Sequence, residues 1–222
     1  MKRTERVYEV EQTADGSATI FIPDMDEHYH SIKGALTESE HIYRDCALMY
    51  RGDKDALRVL EVGFGTGLNA TVTAMAASTG RKVHYIGLEK YPVDSDLLER
   101  LGYDKIVDGG LFSAIHAAPW NVATDITTDF TLEKLQMDYV ADELPRDIDV
   151  VYFDAFAPEK QPEMWTEEAF RRLYSAMASG GVMTTYCAKG AIRRLLETVG
   201  FVVERLAGPA GGKREILRAS KK

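Results

Sequence analysis

Two short stretches of this chain carry residue types at spacings that can do chemistry. The first is Glu61-Val62-Gly63-Phe64-Gly65-Thr66-Gly67, where an apolar run, Arg58 to Val62, meets an Ala- and Thr-rich run, Leu68 to Ser78. Glycines at a strand–helix junction permit a tight turn and let the backbone approach a ligand closely. A dinucleotide fingerprint would need its third glycine at position 68, which is Leu68, and no Gly-Lys-Ser/Thr follows to make a phosphate-binding loop. Glu61 at the strand end would repel a pyrophosphate but suits a cofactor bearing an ammonium and a sulfonium, S-adenosyl-L-methionine. Glu89 follows the next apolar run, Val83 to Leu88, and lies 22 residues after Gly67. A carboxylate there can accept from both ribose hydroxyls. The expected cofactor-binding set is therefore Glu61, Gly63, Phe64, Gly65, Gly67 and Glu89. Asp138, past a third strand, is either an adenine contact or a solvated loop acid.

The second stretch follows the near-continuously apolar run Asp149 to Phe153. It reads Asp154-Ala155-Phe156-Ala157-Pro158-Glu159-Lys160-Gln161-Pro162-Glu163-Met164-Trp165. In a doubly wound sheet the carboxyl ends of the strands line the ligand crevice, so Asp154 points towards the reactive end of the cofactor. A carboxylate followed by an aromatic and a proline suits amine methylation. The acid orients the amine and helps take its proton, and the aromatic packs on the substrate. Pro158 and Pro162 stiffen the loop. A helix-capping acid is the competing reading of Asp154.

The elements that must position these residues alternate strand and helix from residue 58 onward. Strands are expected at Arg58 to Val62, Val83 to Leu88, Thr131 to Met137, Asp149 to Phe153 and Val182 to Tyr186. Helices are expected at Leu68 to Ser78, Asp94 to Leu101, Pro162 to Ala178 (ended by Gly180-Gly181) and along the stripe Ile192, Leu195, Leu196, Val199. Residues 104 to 128 fit either type. This is an α/β pattern with a mostly parallel sheet covered on both faces. Two closing strands, Phe201 to Leu206 and Glu215 to Ala219, are joined by a short Gly/Pro-rich link and must be antiparallel. Before residue 53 the chain offers a small β-hairpin around Asp15-Gly16, Val7 to Val10 and Ala18 to Ile22, and a helix, Leu36 to Tyr50. The expected division is an extension, 1–52, and a catalytic domain, 53–222.

Composition narrows the function further. Of the residues, 45% are hydrophobic and 28% charged, which is ordinary globular usage. There is no apolar run of membrane-spanning length and no signal-peptide pattern, so the expected location is the cytoplasm. Cys46 and Cys187 do not form a zinc pattern, and His28, His30 and His41 match no standard metal spacing. No metal is expected. The net charge is -8, but residues 171–222 carry 11 Lys and Arg against 3 Asp and Glu. A basic end on an acidic body is compatible with a nucleic-acid face.

The runs ELPRDIDVVYFDAFAPEKQPEMWT, TTYCAKGAIRRLLETVGF, GPAGGKREIL, EVGFGTGLNA and YHSIKGALTESEHIY resemble the MnmD/MnmC methyltransferase family, from about Tyr29 to Ala219. The resemblance implies a Rossmann-like class I S-adenosyl-L-methionine-dependent methyltransferase. It also implies N-methylation of the aminomethyl group of 5-aminomethyl-2-thiouridine at the tRNA wobble position. Many relatives carry a fused flavin-dependent oxidase domain, for which this chain has no room, so an upstream enzyme would supply the aminomethyl uridine. Within that reading Asp154 is the catalytic residue. Tyr29 and Phe156 stack on the extruded base. Ser31 and Glu38 cover the cofactor or substrate, and Pro158 shapes the substrate loop. Lys160, Arg193, Arg194, Lys213 and Arg214 are phosphate contacts. The competing readings are a transferase for a small-molecule amine on the same fold and a non-enzymatic cofactor-binding scaffold.

Overall fold

The computed structural model describes residues 7–52, 54–77 and 81–222. The chain opens with a three-stranded antiparallel sheet, β1 (Glu9–Gln12), β2 (Ala18–Ile22) and β3 (Glu27–His28). The Asp15 carboxylate closes the β1–β2 turn by accepting the Ser17 N–H at 3.0 Å, and it anchors that turn by accepting the Thr37 N–H at 2.9 Å. Next comes a short helix, α1 (Ala35–Glu38), which widens directly into a π-helix, Ser39–Leu48. The Met49 N–H reaches back five residues to the Arg44 carbonyl at 2.8 Å. The sequence pattern predicts a single α-helix here, because an apolar stripe alone does not distinguish four-residue from five-residue hydrogen bonding.

The main sheet contains β4 (Ala56–Val62), β5 (Lys82–Glu89), β6 (Ala123–Asp125), β7 (Phe130–Gln136), β8 (Ile148–Phe153), β9 (Met177–Thr185), β10 (Val202–Ala207) and β11 (Glu215–Ser220). Its helices are α2 (Leu68–Ala77), α3 (Ser95–Leu101), α4 (Gly109–Ala117), α5 (Glu167–Ala176) and α6 (Gly190–Val199). Spatial order is β10-β11-β9-β8-β4-β5-β7-β6. The five central strands are parallel, β11 is antiparallel to β9, and β10 is antiparallel to β11. All six residues of β8 are buried, as its near-continuous apolar run requires of a strand covered on both faces. The chain leaves β4 for β5 on one side and returns as β8 on the other. That reversal opens a crevice at the carboxyl ends of β4 and β8.

Several local expectations are corrected. The ambiguous stretch after residue 104 holds both types: α4, capped by the Asp108 carboxylate on the Leu111 N–H at 3.0 Å, and β6, an antiparallel edge strand beside β7. The expected helix over Pro162 to Ala178 is two pieces. A 3-10 turn at Pro162–Trp165 stops at Thr166, whose side chain caps α5 through the Ala169 N–H. The turn breaks there because the Trp165 indole N–H is pulled onto the Phe156 carbonyl at 2.8 Å. Gly180-Gly181 does not end that helix but lies inside β9, where the pairing with β8 shifts register. The two glycines exchange backbone hydrogen bonds with Lys221, both at 2.9 Å. Ser78, the expected end of the helix that begins at Leu68, lies outside the described residues.

One core cluster binds α5 to the sheet beneath the crevice. Phe170 is fully buried, its ring 5.1 Å from Phe153 and 6.1 Å from Trp165. Phe170→Ala therefore leaves a cavity directly under the loop that follows Asp154. The expected loss is about 3–5 kcal/mol of unfolding free energy, read as a lower urea midpoint at unchanged slope.

Candidate active site

The glycine loop takes its shape from three left-handed glycines, Gly63, Gly65 and Gly67. At Gly63, φ is +91°, and a Cβ would stand 2.6 Å from the Asp154 carbonyl oxygen, so only glycine fits. The Gly63 and Phe64 N–H groups both donate to the Leu88 carbonyl, at 3.1 and 2.9 Å. The Asp154 N–H donates to the Val62 carbonyl at 3.0 Å. The loop and the acid after β8 are thus held against each other through the backbone.

Between them opens a cavity of about 400 Å³. Gly63, Phe64, Gly65, Glu89 and Asp138 line one part of it, and Asp154, Phe156, Lys160 and Tyr29 line another. Glu89 ends β5 as the sequence suggested. Its carboxylate accepts the Gly65 N–H at 3.1 Å and the Tyr91 N–H at 2.8 Å, and burial raises its pKa. A carboxylate offers about four acceptor positions, so capacity remains for ribose hydroxyls. Asp138 also reaches the cavity, but it pairs with Lys90 at 2.7 Å, and that hydrogen bond holds its carboxyl below the usual carboxylate range. Phe64 is almost wholly buried, 5.8 Å from Trp120, and packs more than it lines. Tyr29 and Phe156 meet edge to face at 5.1 Å across the mouth.

Asp154 is fixed from two sides. The Tyr43 hydroxyl donates to one oxygen at 2.6 Å, and the Asn69 amide donates to the other at 2.8 Å. The same Asn69 nitrogen donates to Glu61, also at 2.8 Å. Burial and the neighbouring charge of Glu38 push the Asp154 pKa up to about 7, against the opposing hydrogen bonds of Tyr43 and Asn69. Glu61 is driven well above the usual range by burial and by Asp154.

Other expected site residues lie elsewhere. Glu61 is 1% exposed and sits beneath Asn69 and Asp154, outside the cavity lining. Gly67 and Pro158 also lie outside the lining. The Ser31 N–H donates to Glu38 at 2.8 Å, and Glu38 is buried behind the wall. Lys213 is exposed, but its ammonium lies 3.9 Å from Glu38. Arg193 pairs with Glu197 along α6, and Arg214 is exposed.

Four residues at the site escape the sequence reading: Tyr43, Asn69, His30 and Thr66. Asn69 carried a signal, an amide in the first turn of an otherwise apolar helix start. Tyr43 carried none, since its position depends on the π-helix. His30 is read in the sequence only for metal binding. It is buried, its Nε2 lies 2.7 Å from the Thr66 hydroxyl, and burial lowers its pKa to about 4. Among the described residues no group of three or more His, Cys, Asp or Glu could hold a metal. No described helix is long and apolar enough to cross a membrane.

A Rossmann-like sheet with an acid-ended glycine loop, a second acid after the next strand and an acid–aromatic loop after β8 defines a class I S-adenosyl-L-methionine-dependent methyltransferase. The family model described as S-adenosyl-L-methionine-dependent methyltransferase matches residues 116–222. The chain is 31% identical to the tRNA 5-methylaminomethyl-2-thiouridine biosynthesis bifunctional protein MnmC of Pseudomonas fluorescens, over 87% of this chain and 32% of the relative. It is 28% identical to MnmC of Actinobacillus pleuropneumoniae, over 89% of this chain and 33% of the relative. The chain thus spans about a third of the length of the curated relatives it matches. The crystal structure of MNMC2 from Aquifex aeolicus shares the fold, with a TM-score of 0.76 at 23% identity over 99% of this chain and 72% of that one. Spermidine synthase from Thermotoga maritima shares it less closely, with a TM-score of 0.59 at 17% identity over 98% of this chain and 73% of that one. The chain is thus similar over most of its length to about a third of these MnmC proteins, and over residues 116–222 to the methyltransferase family model.

The Tyr43 hydrogen bond favours the ionised form of Asp154. In Tyr43→Phe that form loses its partner, so the Asp154 pKa rises. The acidic limb of kcat/KM for methyl transfer is expected to move to higher pH, by about half a unit to one unit. A limb that stays in place would show that Asp154 does not govern it.

Proposed function

We propose that this chain methylates the aminomethyl group at C5 of a wobble uridine, with or without 2-thiolation, in tRNA. One observation carries the reading. Asp154, with a pKa of about 7, is the carboxylate held by Tyr43 and Asn69 where the glycine loop meets the aromatic mouth formed by Tyr29 and Phe156. Such a group attracts a protonated amine and is basic enough to accept its proton near neutral pH.

S-adenosyl-L-methionine, when bound, supplies an electrophilic methyl group on its sulfonium. The chain fits that cofactor in two ways: the glycine loop, whose Gly63, Phe64 and Gly65 line the cavity, and the spare acceptor capacity of Glu89. Gly63, Phe64, Gly65 and Glu89 would hold it, with Asp138 near the base. Asp154 orients the substrate amine through a charge-assisted hydrogen bond and takes one proton onto its carboxylate, leaving the nitrogen lone pair free. Asn69 and Tyr43 keep the carboxylate at one position, so approach geometry comes pre-set. Tyr29 and Phe156 offer ring faces and edges to a base lifted out of its stack.

A tRNA partner agrees with the basic C-terminal stretch. Arg214 is exposed, and Lys160 pairs loosely with Asp26 at 3.7 Å, so both can turn to phosphates. Arg193 would have to leave Glu197 to do so. The reaction requires an upstream enzyme that places the aminomethyl group on the uridine, and tRNA as substrate places the protein in the cytoplasm.

The test is nucleoside mass spectrometry after incubation with S-adenosyl-L-methionine and tRNA bearing 5-aminomethyl-2-thiouridine. A gain of one methyl group on that nucleoside is expected. Asp154→Asn should cut the rate by about two orders of magnitude or more while cofactor binding persists. Binding of cofactor with no methylated nucleoside would instead direct the search to small-molecule amines.

A further inference from the structure

Lys213 stands on the loop between β10 and β11, where the sequence reading expected a phosphate contact. Its ammonium instead lies 3.5 Å from the centroid of the Tyr186 ring and 3.9 Å from Glu38. Both partners lie behind the cavity lining, close to Asp154. The Tyr186 hydroxyl donates to the carbonyl of Ala155 at 2.9 Å, one residue past Asp154. Glu38 lies on α1, one π-helical turn before Tyr43, and is 7% exposed. Its other oxygen accepts only a backbone N–H, from Ser31. A carboxylate that buried needs a counter-charge, and Lys213 is the cation placed to give it.

We propose that Lys213 is a positioning residue that neutralises Glu38 and so keeps Asp154 available as the ionised carboxylate. The inference rests on the reading of Asp154 as proton acceptor. Without Lys213, Glu38 and Asp154 would present two uncompensated charges to the same wall, and Asp154 would hold its proton to higher pH. The other titratable groups facing Asp154 are Tyr43, whose hydrogen bond favours the ionised form as Lys213 does, and Glu61, Tyr85 and Tyr186, whose pKa values are all raised by burial. The electrostatics agree: Glu38 raises the Asp154 pKa and Lys213 lowers it. Desolvation lowers the Lys213 pKa, while Glu38 and Asp154 pull it back up.

The experiment follows the Asp154 carboxyl itself, so it needs no substrate. Protein carrying 13C-labelled aspartate is titrated by NMR, with the Asp154 resonance assigned by its loss in Asp154→Asn. Lys213→Met is expected to raise the Asp154 midpoint by about one unit, Glu38→Gln to lower it, and Lys213→Arg to restore it nearly to the wild-type value. Circular dichroism confirms that each variant is folded. If Lys213→Met disturbs the fold, Lys213→Gln, which also removes the charge, takes its place with the same rise expected. A midpoint that stays at the wild-type value when the Lys213 charge is removed overturns the proposal. So does a Lys213→Met enzyme whose only change is a higher KM and a shallower salt dependence for tRNA, since that is the signature of a phosphate contact. Because the readout is a midpoint, a protein that fails to methylate aminomethyl-uridine would refute the proposed substrate without touching this result.

Discussion

A single side-chain amide sits at the centre of this molecule. The Asn69 nitrogen donates to Glu61 on β4 and to Asp154 after β8, both at 2.8 Å. Two buried carboxyls this close cannot both ionise cheaply, because each loses water and each repels the other. The amide resolves the conflict unequally. Asp154 also receives the Tyr43 hydroxyl, which favours its ionised form, while burial and the Asp154 charge raise the Glu61 pKa well above the usual carboxylate range. Asn69 stands one residue inside α2, so the same two hydrogen bonds fix the start of that helix against the sheet. The glycine loop that leads into α2 has little freedom left.

Around this centre the wall of the site comes from outside the Rossmann-like core. The N-terminal sheet reaches the glycine loop through His30 and Thr66, and the π-helix delivers Tyr43. The C-terminal hairpin closes the other side, with His41 on the Ala207 carbonyl at 2.8 Å and Lys213 between Tyr186 and Glu38. A sheet of this kind serves many reactions, and the structural likeness to both MNMC2 and spermidine synthase illustrates that. What distinguishes this chain is which side chains the two terminal segments bring to the carboxyl end of β8. Those segments turn a common cofactor fold into a site with one carboxylate near neutral pKa and aromatic rings at its mouth.

The sequence made much of this legible and left the rest hidden for identifiable reasons. The alternation of strands and helices follows from burial on both faces, and Ile148–Phe153 shows it plainly. Glycines at 63, 65 and 67, with acids at 89 and 154, mark strand ends because their chemistry is at odds with the apolar runs beside them. The start of α5 at Thr166 carried a local signal, a capping threonine followed by Glu167 and Glu168, while the seating of the turn before it rests on Trp165 reaching the Phe156 carbonyl, a contact across nine positions. The glycine pair at 180 and 181 misleads: glycine stops a helix or permits a bulge, and the pairing of β9 with β8 and Lys221 selects the bulge.

By itself the sequence determined the class of fold, the glycine loop after β4 and the acid after β8, because local spacing and polarity are properties of a few neighbouring residues. Only the tertiary structure decided which groups share that acid's surroundings. Tyr43 is 111 positions from Asp154 along the chain, and Asn69 is 85. Their hydrogen bonds, and the placing of Lys213 over Tyr186 and beside Glu38, exist only once strand order and the π-helix have set the distances. Charge and hydrogen bonding act through space over a few ångströms, and sequence spacing records that proximity only within one element.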